Sequence, residues 1–174
     1  MSVFIGRMIG AAMFDDGTYE AVEADRHATG QALGVVLLSS LATGLGAGSG
    51  RPGAIAVFSA AAVFAWIIWA TLVCVLGTGL LAQPQTRSDV GELLRTLGYA
   101  QSPGVLRALG ILPLVGPVIL VLVTVWTLAT MVTAVRHALD YQSTIRALAV
   151  VVTGWVVAFV MFAIIGLFWS PVVL

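Results

Sequence analysis

The chain has 174 residues, 60% of them hydrophobic and 9% charged, with a formal net charge of zero. A soluble domain carries about 25% charged residues, so composition excludes a soluble catalytic domain, and the balanced charge gives no reason to expect nucleic acid as a partner. All basic residues are Arg, and Cys74 is the single cysteine, so an intramolecular disulfide is excluded as well.

Four stretches without a charged residue, 28–50, 52–86, 108–135 and 147–174, each exceed the roughly 20 apolar residues needed to cross a bilayer core about 30 Å thick. This is an integral membrane protein. At the start of the chain, Val3, Phe4, Ile5, Met8, Ile9, Ala12 and Met13 recur at helical spacing, which predicts a short amphipathic helix. It either lies at the membrane interface or caps the bundle. Asp15-Asp16-Gly17-Thr18 reads as a turn, and Tyr19 to Asp25 as an acidic turn or short helix. Residues 1–27 therefore form an N-terminal segment and 28–174 a membrane domain.

The first span is expected over 28–48. Gly30, Gly34, Ser40, Gly44 and Gly48 put small residues four apart, which lets a neighbouring helix approach closely in lipid. A turn over 46–53, holding Arg51-Pro52, leads to a long second span over 54–81. Ser88 is the expected N-cap of an amphipathic helix through Leu93, Leu94 and Leu97. A third span over 97–112 is interrupted by Pro103, and Pro113 and Pro117 bracket a tight hairpin. Spans over 118–135 and 147–168 follow, separated by a charged connector from Arg136 to Arg146.

Arginine distribution decides whether 97–112 crosses. If it does, Arg7, Arg26, Arg87, Arg95, Arg136 and Arg146 share the N-terminal side, with Arg107 leaning toward it and Arg51 opposite. If it does not, the asymmetry falls to four against three. Positive charge stays cytoplasmic. The expected fold is all-α: a polytopic bundle of five spans in the cell membrane, with a cytoplasmic N-terminus and an extracytoplasmic C-terminus.

Several segments resemble the bacterial branch of the Yip1 family. They are Tyr19-Glu20-Ala21-Val22-Glu23-Ala24-Asp25 with Ala28-Thr29-Gly30-Gln31-Ala32, then Leu97-Gly98-Tyr99-Ala100-Gln101-Ser102-Pro103, then Trp126, Ala134-Val135-Arg136 and Arg146-Ala147. The resemblance runs through most of the chain and implies a five-span membrane fold, with Tyr99 and Pro103 as signature positions. The Asp-Leu-Tyr-Gly-Pro motif of eukaryotic members is absent, so their link to Rab GTPases and vesicle traffic is not implied for this chain.

Arg107 is the most unusual position, because a charge within a span is costly and is a functional candidate by default. It could hold a lipid phosphate, an anionic substrate or a carboxylate, or it could snorkel to the cytoplasmic headgroups. The acids Asp15, Asp16, Glu20, Glu23 and Asp25 could be solvated, bind a hard cation, or pair with Arg87, Arg95, Arg136 or Arg146. The attraction between the two sets predicts that Tyr19–Asp25 folds back on the connectors, with Glu20 and Glu23 as partners and Tyr19 and Val22 burying apolar surface. Thr124, Thr127, Thr130 and Thr133 form a polar stripe that either lines a path or bonds within the helices. His27 and His137 read as interfacial residues. Trp69, Trp155 and Trp169 read as interface anchors, while Trp66 and Trp126 fall deeper and are expected to pack in the bundle. No catalytic set, metal-ligand spacing or cofactor motif is present.

These observations point to a non-enzymatic membrane-organising or adaptor protein. The alternative is a small oligomeric channel or transporter, or a lipid-handling protein, using Arg107 and the threonine stripe. The expected partners are the lipid bilayer, anionic lipid, and a second copy or other membrane proteins.

Overall fold

The computed structural model describes residues 2–46 and 52–169, with the side chains at 52, 54, 55, 58 and 161–169 left out. The turn expected over 46–53, with Gly48 and Arg51, and the side chain of Trp169 lie outside the described residues. The architecture is all-helical: α1 (Val3–Ala12), α2 (Asp16–Ala24), α3 (Ala28–Gly46), α4 (Pro52–Val75, continued by a π turn over Leu76–Leu80), α5 (Val90–Tyr99), a 3-10 segment (Ser102–Ile111), α6 (Gly116–Ala138) and α7 (Thr144–Trp169). Among the described residues, three helical stretches are long and apolar enough to cross a membrane: Ala28–Gly46, Ser59–Leu80 and Gly116–Ala138.

Local chemistry starts most of these elements. Ser2 caps α1 by accepting from the Ile5 N–H. The residues expected as a turn at 15–18 instead begin α2, because the Asp15 carboxylate accepts from the Thr18 N–H at 2.8 Å and so satisfies a free helix donor. The cap of α5 is Asp89 and not Ser88: Asp89 and Glu92 form a reciprocal capping box, an arrangement Ser88 is one residue too early to make. Phe14, Leu114 and Asp140 take positive φ in the tight connections after α1, before α6 and after α6.

Residues 97–112 are not one α-helical span. α5 stops at Tyr99, and Pro103, with no N–H to give, stands at the start of a 3-10 segment. That segment runs alongside α3 in the same direction. A methyl group added at Gly98 would sit 2.7 Å from Ala32 Cβ, one at Gly104 would meet Ser39 Oγ, and one at Gly46 would meet the Arg107 carbonyl. A 3-10 turn rises about 2.0 Å per residue, so its ten residues cover about 20 Å, a reach that needs about 13 residues of α-helix. The short segment thus arrives at the same end of the bundle as α3, where Gly110 meets Leu120 and Gly116 of the returning α6.

The other contacts fix the remaining directions. Ser40 bonds Ser59 across α3 and α4, and Trp66 Nε1 donates to the Leu94 carbonyl across α4 and α5. Tyr141, just before α7, donates to the carbonyls of Gly77 and Leu81 at the π turn, while Gly154 lies against Trp69. Successive long elements therefore alternate in direction.

The close-packing face of α3 differs from the expected one. Gly30 is exposed with nothing within 4 Å, and a methyl at Gly34 would make only ordinary contact with Phe4 at 3.9 Å. Ser40 is half-buried, and Gly44 is buried. The tight seam is Ala32, Ser39 and Gly46, seven apart, facing Gly98, Gly104 and the Arg107 backbone. A seven-residue step keeps one face toward a neighbour over several turns, whereas the four-residue step drifts around the helix.

α1 caps the bundle with one face and turns another outward. Ala11 is buried, Phe4 lies 6.4 Å from the Tyr99 ring, and Val3, Ile5, Ile9 and Met13 are exposed. Trp126 is not packed in the bundle as expected. It is 37% exposed, and its indole N–H donates to the Ala12 carbonyl at 2.8 Å, closing the C-terminal end of α1.

Candidate functional site

Two places gather chemistry-bearing residues: a polar layer at the N-terminal side, and a cavity beside Arg107.

The polar layer is built on α2. Tyr19 and Val22 are fully buried, and the Tyr19 hydroxyl donates to the carbonyls of Ala11 and Thr130. Burial pushes the Tyr19 phenol above its ordinary pKa. Its ring stacks on His137 at 5.6 Å, and His137 Nε2 lies 2.7 Å from Asp16 Oδ1, with Arg136 3.9 Å from the same carboxylate. Asp25 pairs with Arg7 at 2.8 Å; this hydrogen bond holds the Asp25 carboxyl below its usual range and raises Arg7. Arg7 also reaches the Gln31 side-chain oxygen, which accepts from Tyr99 at 2.6 Å. Tyr99 is thereby a link between α3 and the N-terminal layer.

The segment docks, but the expected ion-pair partners differ. Glu20 is exposed, and the charges that pair are those of Asp16 and Asp25. The Glu23 carboxylate faces Glu92, Asp140 and Glu20 as well as Arg95, and burial first, then these acids, push it up to about 7. Arg95, 6% exposed, bonds the Glu23 backbone carbonyl instead. Arg146 is exposed, and none of the ion pairs among the described residues includes it. Arg7 and His137 were the partners that sequence reasoning missed, whereas Asp16 with Arg136 is one of the pairings it allowed.

The second place is a cavity of about 580 Å³ between α3, α4, the 3-10 segment, α6 and α7. Its walls are mostly apolar, with Trp66, Trp69 and Trp155 on one side and Ser39, Gln101 and Arg107 among its polar groups. Arg107 does not snorkel to the N-terminal side. Its backbone stands beside Gly46, and its guanidinium turns back to Ser39 Oγ and Thr127 Oγ1, each at 3.4 Å. Thr127 is eleven residues from either end of α6, so this cation lies about 16 Å along the helix from each terminus. Pro103 is buried at the head of the segment that carries it there.

The threonine stripe does not line this cavity. Thr124 is exposed and bonds the Leu120 carbonyl, Thr127 bonds Val123, and Thr130 bonds Ala100, Trp126 and Thr127 carbonyls. Only Thr127 also faces Arg107.

The family model of the Yip1 domain matches residues 4–165, and comparison with curated proteins and with solved structures gives no match. With nearly the whole length matched, and with three helices among the described residues long and apolar enough to cross a bilayer, the chain belongs to the Yip1 family and is a membrane protein.

Proposed function

We propose that this protein is a non-enzymatic membrane-organising adaptor of the bacterial Yip1 branch, crossing the cell membrane five times with a cytoplasmic N-terminus. It offers other membrane proteins, or a second copy of itself, a polar face built on α2. The observation that carries this reading is the docking of α2: Tyr19 and Val22 are buried beneath it while Glu20 and Asp16 stay outward, so a rigid charged surface stands where a free tail could have been. The threonines of α6 support it too, since the hydroxyls of Thr124, Thr127 and Thr130 donate to backbone carbonyls, the role of structural threonines in a helix bundle.

Purified protein in vesicles tests the reading together with photo-cross-linkers at Glu20 in native membranes. The expected result is no permeability to ions or small solutes above that of protein-free vesicles, with cross-links from Glu20 to integral membrane proteins that are lost in Tyr19→Ala. Solute flux that is blocked by a thiol reagent in Thr127→Cys overturns it in favour of a channel.

A further inference from the structure

We propose that the cavity beside Arg107 is a binding site for one anionic phospholipid, with the phosphate on the guanidinium and an acyl chain against Trp66, Trp69 and Trp155. Arginine carries five N–H donors in a planar fork suited to phosphate oxygens. Among the described residues the fork finds only the two neutral hydroxyls of Ser39 and Thr127, each at 3.4 Å, the outer limit of hydrogen-bond reach. None of the ion pairs among the described residues involves Arg107. A cation at membrane depth is costly without a counter-charge, so the site is electrostatically incomplete as the chain alone builds it.

The walls say what kind of anion completes it. The volume of about 580 Å³ falls in the usual range for ligand sites of roughly 300–1,000 Å³. Most of the lining is apolar, and among the described residues the buried Trp69 indole N–H finds no hydrogen-bond partner. A free phosphate would meet one cation and a few hydroxyls, then leave the apolar walls uncovered. An amphipathic anion covers both: head on Arg107, chain along the indoles. The bilayer supplies such molecules in excess.

The test reconstitutes the full chain in vesicles of phosphatidylcholine containing graded amounts of phosphatidylglycerol or phosphatidylcholine with brominated acyl chains, and follows quenching of tryptophan fluorescence. In wild type, half-maximal quenching is expected at about tenfold lower mole fraction of the brominated anionic lipid, because the choline ammonium of phosphatidylcholine offsets its phosphate and leaves Arg107 without a net counter-charge. Arg107→Gln brings the ratio to about one. Ala62→Leu, which fills the cavity and keeps the charge, does the same. Arg87→Gln, remote from the cavity, leaves it unchanged. Equal quenching by the two lipids in wild type overturns the proposal even if the variants fail to fold. So does a preference that survives Arg107→Gln, which would place the lipid on surface arginines. Loss of the preference in millimolar inorganic phosphate with no lipid retained overturns the lipid assignment in favour of a free-anion site.

Discussion

The Arg95 guanidinium reaches Glu23 and bonds its backbone carbonyl, at 3.1 Å from Nε and 2.6 Å from Nη2. α2 ends at Ala24, so that carbonyl is among the last four without an intrahelical donor, and a buried arginine fills the place water would take. The cation also sits at the negative end of the helix dipole. Arg95→Met is expected to cost about 1.5–3 kcal/mol, the value of a hydrogen bond to a charged group. A lowered melting temperature with early proteolytic cleavage in 16–24 is the expected readout. An unchanged melt with α2 still protected would mean that apolar packing alone holds the helix.

The carboxylate of the same Glu23 sets a pH dependence. Burial and the acids around it raise it from 4.5 to about 7, so the folded state holds its proton where the unfolded chain has lost it. This contribution to stability is complete below about 4.5, falls as pH rises toward 7, and is gone above. Wild type should therefore lose stability relative to Glu23→Gln between pH 5 and 7, and run parallel to it above pH 8. The Asp25–Arg7 pair acts in the opposite sense and lies outside this window, because Asp25 is depressed below 3.8 and its contribution fades only in acid. Melting both proteins across the range checks the difference, and parallel curves throughout would refute it.

Much of this was legible because lipid imposes coarse rules. Runs without charge set the long helices, and Tyr19 and Val22 in an acidic stretch announced a buried face. What escaped the sequence was which partner each charge chooses. The order of residues gives no reason for Arg95 to prefer a carbonyl of Glu23 over its carboxylate; that depends on how α2 and α5 meet. Arg107 was misplaced for a related reason. The sequence left it free to snorkel to the cytoplasmic headgroups, whereas the longer rise of the 3-10 segment carries its backbone level with Gly46 and turns its side chain back inward.

The seam between α3 and the α5–3-10 segment predicts opposite effects at two glycines. Gly98→Ala puts a methyl 2.7 Å from Ala32 Cβ, and backbone on both sides limits relief, so a loss of about 1–3 kcal/mol is expected. Gly30→Ala meets open space in a helix and should gain up to about 1 kcal/mol. Thermal melts in one detergent decide it; equal destabilisation by both would return the contact face to Gly30.

Tyr19 should matter more to docking of α2 than its ion pairs do. Tyr19→Phe removes a buried hydroxyl and its hydrogen bonds to the Ala11 and Thr130 carbonyls, at about 0.5–1.5 kcal/mol, while the Ala11 carbonyl keeps the Phe14 N–H. Asp16→Asn removes partners of His137 and Arg136 at an exposed site, where such pairs are worth about 0–1 kcal/mol. Comparing the two single variants by hydrogen exchange at 16–24 checks the ranking. A larger loss of protection in Asp16→Asn would show that charge and not the buried phenol holds the helix.

The proposed five crossings rest on how the 3-10 segment lies. It runs parallel to α3 and reaches Gly46, so if α3 crosses from the N-terminal side, the segment ends on the opposite side, and α6 must return. In the proposed topology Arg136 and Arg146 then share one side with Arg7, Arg26, Arg87 and Arg95, the asymmetry that would keep positive charge in the cytoplasm. Reporter fusions are expected to put Ser2 in the cytoplasm and Leu174 outside it. Cysteines introduced at Gln85 and Gln142, in a Cys74→Ala background, should react with an impermeant reagent only from the cytoplasmic side, and one at Leu114 only from the other. Labelling of Leu114→Cys from the same side as Gln85→Cys would make the 3-10 segment a re-entrant loop, and the five-crossing reading would fall with it.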